Sequence, residues 1–189
     1  MVAVSKTNEA RKSILMPEAI KTYSNVNRSD SSVHFGISRM EDVHDKHGGE
    51  DFNVTVESSD DSFRDVKVEV NIMVNSIDTM NSDRDAHLKS DDFFNAENHE
   101  AIRFVSSSYE SGKLKGHLTI RDITKEVELD AEYLGTAVDP YGQTKAGFSI
   151  SGKISRSEFG LKWNAITEAG SIVVSDDVKL EIDAQFIQQ

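Results

Sequence analysis

The feature that most constrains this chain is a period of two in its apolar residues. It begins near Ser31 and recurs almost to the end. Val33, Phe35 and Ile37 alternate with His34, Gly36 and Ser38. Phe52, Val54 and Val56 follow, then Val66, Val68, Val70, Ile72 and Val74, with Lys67, Glu69 and Asn71 between them. Further along come Ile102 and Phe104; Leu114, Leu118 and Ile120; Val127, Leu129, Ala131 and Tyr133; and Phe148, Ile150 and Ile154. Val178, Leu180, Ile182, Ala184 and Phe186 close the series. Successive side chains of a strand point to opposite faces, so this alternation buries one face and wets the other, the mark of antiparallel sheet.

Turn-forming stretches separate the runs at Ser58–Ser62, Ser111-Gly112 and Asp139-Pro140-Tyr141-Gly142. About eight strands of nine to eleven residues with one wet face and no long helix fit most economically into an antiparallel up-and-down barrel. A two-sheet sandwich is the competing solution, and it leaves edges to protect. Residues 1–22 are polar and mixed, with a helical stretch at Glu9–Leu15 interrupted by Pro17, and read as an arm outside a barrel domain of residues 23–189. A barrel of eight strands either fills with side chains or holds one small guest. Its inward residues here are aliphatic and aromatic, which suits a lipid-like guest. Periodicity alone leaves open whether the interior is hollow.

The 189 residues suffice for one domain with a substantial core, and the net charge of −12 disfavours nucleic acid and anionic membranes as partners. There is no cysteine, so disulfides, thiolate metal sites and cysteine nucleophiles are excluded. No apolar run approaches the roughly 20 residues of a membrane-spanning helix, so no stable membrane insertion is expected. The first residues lack the pattern of a secretory signal; the expected location is cytoplasmic, or periplasmic if the N-terminus is not native.

Chemistry-bearing residues concentrate in Ser76–Ala96, which holds Asp83, Arg84, Asp85, His87, Lys89, Asp91 and Asp92 followed by Phe93 and Phe94. Ser82 and Asp85 have the spacing of a capping box, predicting a helical turn from Asp83 to about Lys89. One reading makes Asp85 and His87 an acid/base pair acting on a bound amphiphile. The other makes Arg84 and Asp85 an anchoring ion pair while Leu88, Phe93 and Phe94 seal one barrel end. Neither a nucleophile nor a phosphate loop accompanies the cluster, which favours the second reading, and no catalytic residue and no cofactor is assigned. His44 and His47, with Asp42 and Asp45, fall on an expected loop without the second ligand pair of a specific metal site, so no metal is assigned. Arg156 is read as a structural ion pair, with contact to a ligand's polar head as the alternative. Trp163 is placed at a barrel rim.

Three stretches, Asn75–Ser106, Gly116–Leu129 and Asp139–Asn164, together with the ending Val173–Phe186, resemble the YceI-like family in order and spacing. The N-terminal third resembles it in outline and departs from it at Asn27, Asp30, Arg39, Asp45, His47 and Gly49. The resemblance implies an eight-stranded, lipocalin-like barrel with short helical segments around an apolar tunnel. It implies a binder or carrier of polyisoprenoids, isoprenoid quinones or related long-chain amphiphiles, in a family where homodimers are common. The expected lining is Phe35, Ile37, Phe52, Val54, Val68, Val70, Ile72, Phe104, Leu118, Phe148 and Ile150, with Phe94 and Trp163 at the mouth. A protein with a solid core that acts through its acidic outer face is a third reading of the same residues.

Overall fold

The structure, a computed structural model, describes residues 21–26, 32–38, 44–49, 51–58, 66–164 and 174–188, and for the first three stretches the backbone alone. Its strands are β1 (Lys21–Val26), β2 (Ser32–Ser38), β3 (His44–Gly49), β4 (Phe52–Ser58), β5 (Lys67–Met73) and β6 (Ile77–Asp78), then β7 (Ala101–Glu110), β8 (Lys113–Ile120), β9 (Ile123–Val138), β10 (Thr144–Ser155) and β11 (Asp177–Gln188). One helix, α1 (Ser82–Lys89), lies between β6 and β7. The expected helix at Glu9–Leu15 lies outside the described residues.

Hydrogen bonding runs in the order β1–β4–β5–β7–β8–β9–β10–β11, and β11 returns to β1. All pairs are antiparallel. The edge of β11 is shared: Phe186 and Gln188 face β1, while Val178–Asp183 face β2. β3 continues outward from β2 and meets β6. Thus β1 with β2, β3 with β4, and β5 with β6 are halves of three broken ribs, and the eleven segments make the eight ribs of an antiparallel barrel. Closure matters physically because it leaves few unpaired backbone groups at edges.

Several local expectations change. His44 and His47 lie in strand β3, not a loop, with Asp45 opposite Ile37 and His47 opposite Phe35. Backbone pairing tolerates the polar residues there because a ladder is built from amides, whatever side chains they carry. The run from Val66 leaves strand geometry at Val74–Ser76, where a single 3₁₀ turn is pinned by the Ser76 hydroxyl donating to the Met73 carbonyl at 2.7 Å. β9, at 16 residues, is far longer than the expected nine to eleven.

The buried residues follow the alternation: Phe52, Val54 and Val56; Val68 and Ile72; Ile102 and Phe104; Leu114, Leu118 and Ile120; Leu129 and Ala131. Gly116 occupies the inward position between Leu114 and Leu118. A Cβ there would lie 2.5 Å from the ring of Phe104 and 2.5 Å from the Val105 carbonyl oxygen. The missing side chain is what lets the Phe104 ring lie across the wall.

Candidate functional site

Among the described residues, the barrel interior encloses two voids, of about 100 Å³ and about 40 Å³. They share Val68, Val70, Leu114, Ile150 and Ile182, so they lie in series along one axis. Of the expected lining, Val68, Val70, Ile72, Phe94, Phe104, Leu118 and Ile150 border the larger void, and Val54 and Phe148 border the smaller. Phe52 is buried in the core but borders neither. Phe35 and Ile37 face Leu180 and Val178 by backbone register; their side chains are outside the description. Trp163 packs near the mouth without bordering the voids. Both voids are smaller than the roughly 150 Å³ apolar cavity that stays dry and accepts benzene. An extended guest therefore enters only if side chains move aside.

The end near α1 is closed by a lid of residues outside the strands. Asn81 caps α1 by accepting from the Arg84 amide at 3.0 Å, one residue ahead of the expected Ser82 box. Asp83 and Asp85 sit in the first turn and His87 and Lys89 in the last, the arrangement favoured by the helix dipole. Arg84 and Asp85 anchor the lid through a third residue, buried Thr79. Asp85 Oδ1 accepts from the Thr79 amide (2.9 Å) and hydroxyl (2.5 Å), while Arg84 donates to Thr79 Oγ1 (2.8 Å) and its carbonyl (2.7 Å). His87 instead meets Asp92 at 3.1 Å and sets its ring edge-on to Phe93 and Trp163, at 5.0 and 4.7 Å. The acid and the imidazole are engaged separately, which removes the basis for an Asp85/His87 pair. Leu88, Phe93 and Phe94 border the larger void from above. Arg121, at φ 58° in the two-residue turn between β8 and β9, reaches the lid at the Phe93 carbonyl (3.2 Å) and the Asp91 carboxylate (3.3 Å).

Arg156 is the charged residue of the larger void's wall and is only 4% exposed. The expected ion pair is replaced by neutral oxygens. Its guanidinium donates to the carbonyls of Ser175 (2.8 Å), Leu161 (2.6 Å), Trp163 (2.8 Å) and Val174 (3.4 Å) and to Asn164 Oδ1 (2.5 Å). Five donors meet five acceptors, so burial is compensated by hydrogen bonds. The segments 161–164 and 174–175 are thereby tied to the end of β10. Spacing gave no hint of this, because backbone acceptors carry no sequence signal. Nearby, hydrogen bonds from Ser155 and Ser157 hold the Asp176 carboxyl below its ordinary range.

The opposite end is built differently. β8 and β9 pair from Ile120–Ile123 to Lys113–Asp130, with one further bond from the Ala131 amide to the Gly112 carbonyl. Beyond that point β9 pairs with β10 alone, and a bulge interrupts it at Leu134 and Gly135. Beside this overhang lies an open groove of about 490 Å³, lined by Tyr109, Gly112, Asp130, Ala131, Glu132, Tyr133, Ser149 and Ser151. Tyr109 and Ala131 also border the smaller internal void. Lys113 bonds Asp130 at 2.5 Å, which raises its pKa above the ordinary lysine value. Asp139, in the β9–β10 turn, is held below the ordinary carboxyl range, first by the Gln143 amide and then by Tyr141 and Lys145.

Among the described residues no group of three or more His, Asp or Glu side chains is arranged to hold a metal, and no helix is long and apolar enough to cross a membrane. The model of the YceI-like domain matches residues 25–186. The chain is similar to a UPF0312 protein of Staphylococcus aureus (strain USA300), at 36% identity over 157 residues, 82% of this chain and 92% of that one. A UPF0312 protein of Staphylococcus epidermidis is 32% identical over 163 residues, covering 86% and 95%. Among solved structures, the YceI protein of Campylobacter jejuni is 32% identical with a TM-score of 0.69, covering 80% of this chain and 90% of that one. A polyisoprenoid binding domain from Saccharophagus degradans shares the fold, at TM-score 0.64 and 14% identity, over 88% and 98%.

Proposed function

The chain belongs to the YceI-like family, and from that premise we propose that it binds a long-chain amphiphile, an isoprenoid or isoprenoid quinone, with the chain inside the barrel. The observation that carries this reading is the pair of voids in series, walled almost entirely by aliphatic and aromatic side chains from Ile77 and Phe94 at one end to Phe148 and Phe186 at the other. Among the described residues of this wall, Arg156 and Tyr109 already give their donors to protein oxygens, so little is left to bond a polar metabolite. The wall does reward an apolar chain, at about 0.8 kcal/mol per methylene buried, so ten carbons contribute on the order of 8 kcal/mol before ordering costs. The ligand class named for the Saccharophagus domain is of this kind. The proposed lining is Val54, Val68, Val70, Ile72, Phe104, Leu118, Phe148 and Ile150, with Phe35 and Ile37 on the neighbouring rib. No chemistry on the guest is proposed, because Asp85 and His87 are each engaged elsewhere.

The small volume of the voids favours one second reading, a filled barrel that serves as a scaffold. Native mass spectrometry separates the two. Protein mixed with geranylgeraniol or a long-chain quinone should show a one-to-one complex. A spectrum of bare protein at every ligand concentration, together with no copurified lipid, would leave the scaffold reading standing.

A further inference from the structure

Within the tunnel reading, the position and chemistry of the ligand's polar head remain to be assigned. Among the described residues, the interior wall presents no free donor to a head group. Its charged wall residue, Arg156, has all five N–H donors engaged by protein oxygens. An anion placed beside it would face a cation with no donor left to give, inside an apolar wall where an unsatisfied polar group is costly. The lid end is largely closed: Leu88, Phe93 and Phe94 cover the void there, and Arg121 bonds Asp91 and the Phe93 carbonyl, which leaves its buried Nε as one donor without a partner.

The other end offers a place. The groove beside the β9 overhang has the volume of a small-molecule site and shares Tyr109 and Ala131 with the smaller void. Tyr109 packs its ring against the core and donates its hydroxyl to the Ala131 carbonyl at 3.4 Å, so the two residues form the partition between tunnel and groove. The groove is lined by the exposed carboxylates of Asp130 and Glu132, by two tyrosines and by two serines, and among the described residues no cation lines it. A neighbouring cation, Lys113, is bonded to Asp130 and lies 3.8 Å from Glu128. Ser149 donates to Asp183, which adds a further negative charge behind the groove.

We infer that the head group sits in this groove and is a hydrogen-bond donor without negative charge, an alcohol or an amine in preference to a quinone, and that Glu132 selects against phosphate and carboxylate heads. The chain would enter past Tyr109 and Ala131 while the head stays in water at the groove.

The test uses three C18 ligands that differ only in the head: oleyl alcohol, oleylamine and oleate, titrated calorimetrically into the full chain below their aggregation concentrations. Alcohol and amine should each bind about tenfold or more tightly than oleate at low salt, with the gap shrinking as salt is added. Glu132→Gln should narrow the amine-to-oleate ratio severalfold while leaving thermal stability unchanged, since Glu132 is exposed. Oleate binding as tightly as the other two, or a ratio unmoved by both Glu132→Gln and Asp130→Asn, would overturn the assignment of the head and leave the tunnel reading intact. If none of the three binds, the tunnel reading itself fails and takes this inference with it.

Discussion

The two ends of the barrel solve the same problem in opposite ways. At the α1 end, residues outside the strands are drawn over the void and held by short bonds that converge on Thr79, by the reach of Arg121, and by the five-oxygen clasp of Arg156. At the β9 end the strands run out unevenly, one outlasting its neighbour, and a polar groove is left where the wall is incomplete. Most polar groups at the first end are engaged in holding structure. At the second end the carboxylates of Asp130 and Glu132 are exposed. A dense cluster of acids, bases and an imidazole is thus no guide to where a ligand is met; what counts is whether its donors and acceptors are already engaged.

The largest expected effect comes from loosening the closed end. Arg156→Met leaves five oxygens without their donor, among them the buried Leu161 carbonyl. It should cost about 3 kcal/mol or more, read as a fall in the urea midpoint with the slope unchanged. A loss under about 1 kcal/mol would mean that water replaces the guanidinium and that the end is less tightly closed than its bonds imply.

A smaller effect should sharpen the contrast kinetically. Phe94 is half-buried and borders the larger void from the lid, so Phe94→Ala should cost about 1–2 kcal/mol. If guests enter by the groove, stopped-flow uptake of a fluorescent long-chain alcohol should keep its on-rate in this variant. A severalfold faster on-rate would move the door to the lid.

The smallest effect concerns acid stability at the open end. The Asp139 carboxyl has a folded pKa below its ordinary value of 3.8, through the amides of Gln143 and Tyr141 and the neighbouring Lys145. A depressed carboxyl stabilises the fold above the unfolded pKa, and this contribution is lost as pH falls through the folded value. Asp139→Asn should therefore lower stability slightly at neutral pH and make no difference near pH 2, as followed by thermal melts across that range.

Much of this was legible in the residues themselves. A period of two, carried by residues such as Val68, Val70 and Ile72, is enough to specify an inward face and so a barrel wall. The capping position was off by one because Asn81 and Ser82 are both good caps, and only the local turn decides between them. Arg156 reads from sequence as an ion-pair residue, because the carbonyls that hold it leave no mark in the sequence. The groove was invisible for a different reason. It arises because β8 stops at Lys113 while β9 continues to Val138, a mismatch between two strands that neither one's pattern records. The broken first ribs were hidden in the same way, since polar residues such as Asp45 and His47 join a ladder through their amides.

The most direct measurement is a crystal structure of the protein loaded with a long-chain alcohol carrying one bromine at its far end. The tunnel reading predicts anomalous density between Ile72, Phe94 and Leu118 at the closed end, continuous chain density past Val68, Val70 and Ile150, and the hydroxyl in the groove beside Glu132. Bromine on the outer surface, or an interior still filled by its own side chains at full ligand occupancy, would contradict it.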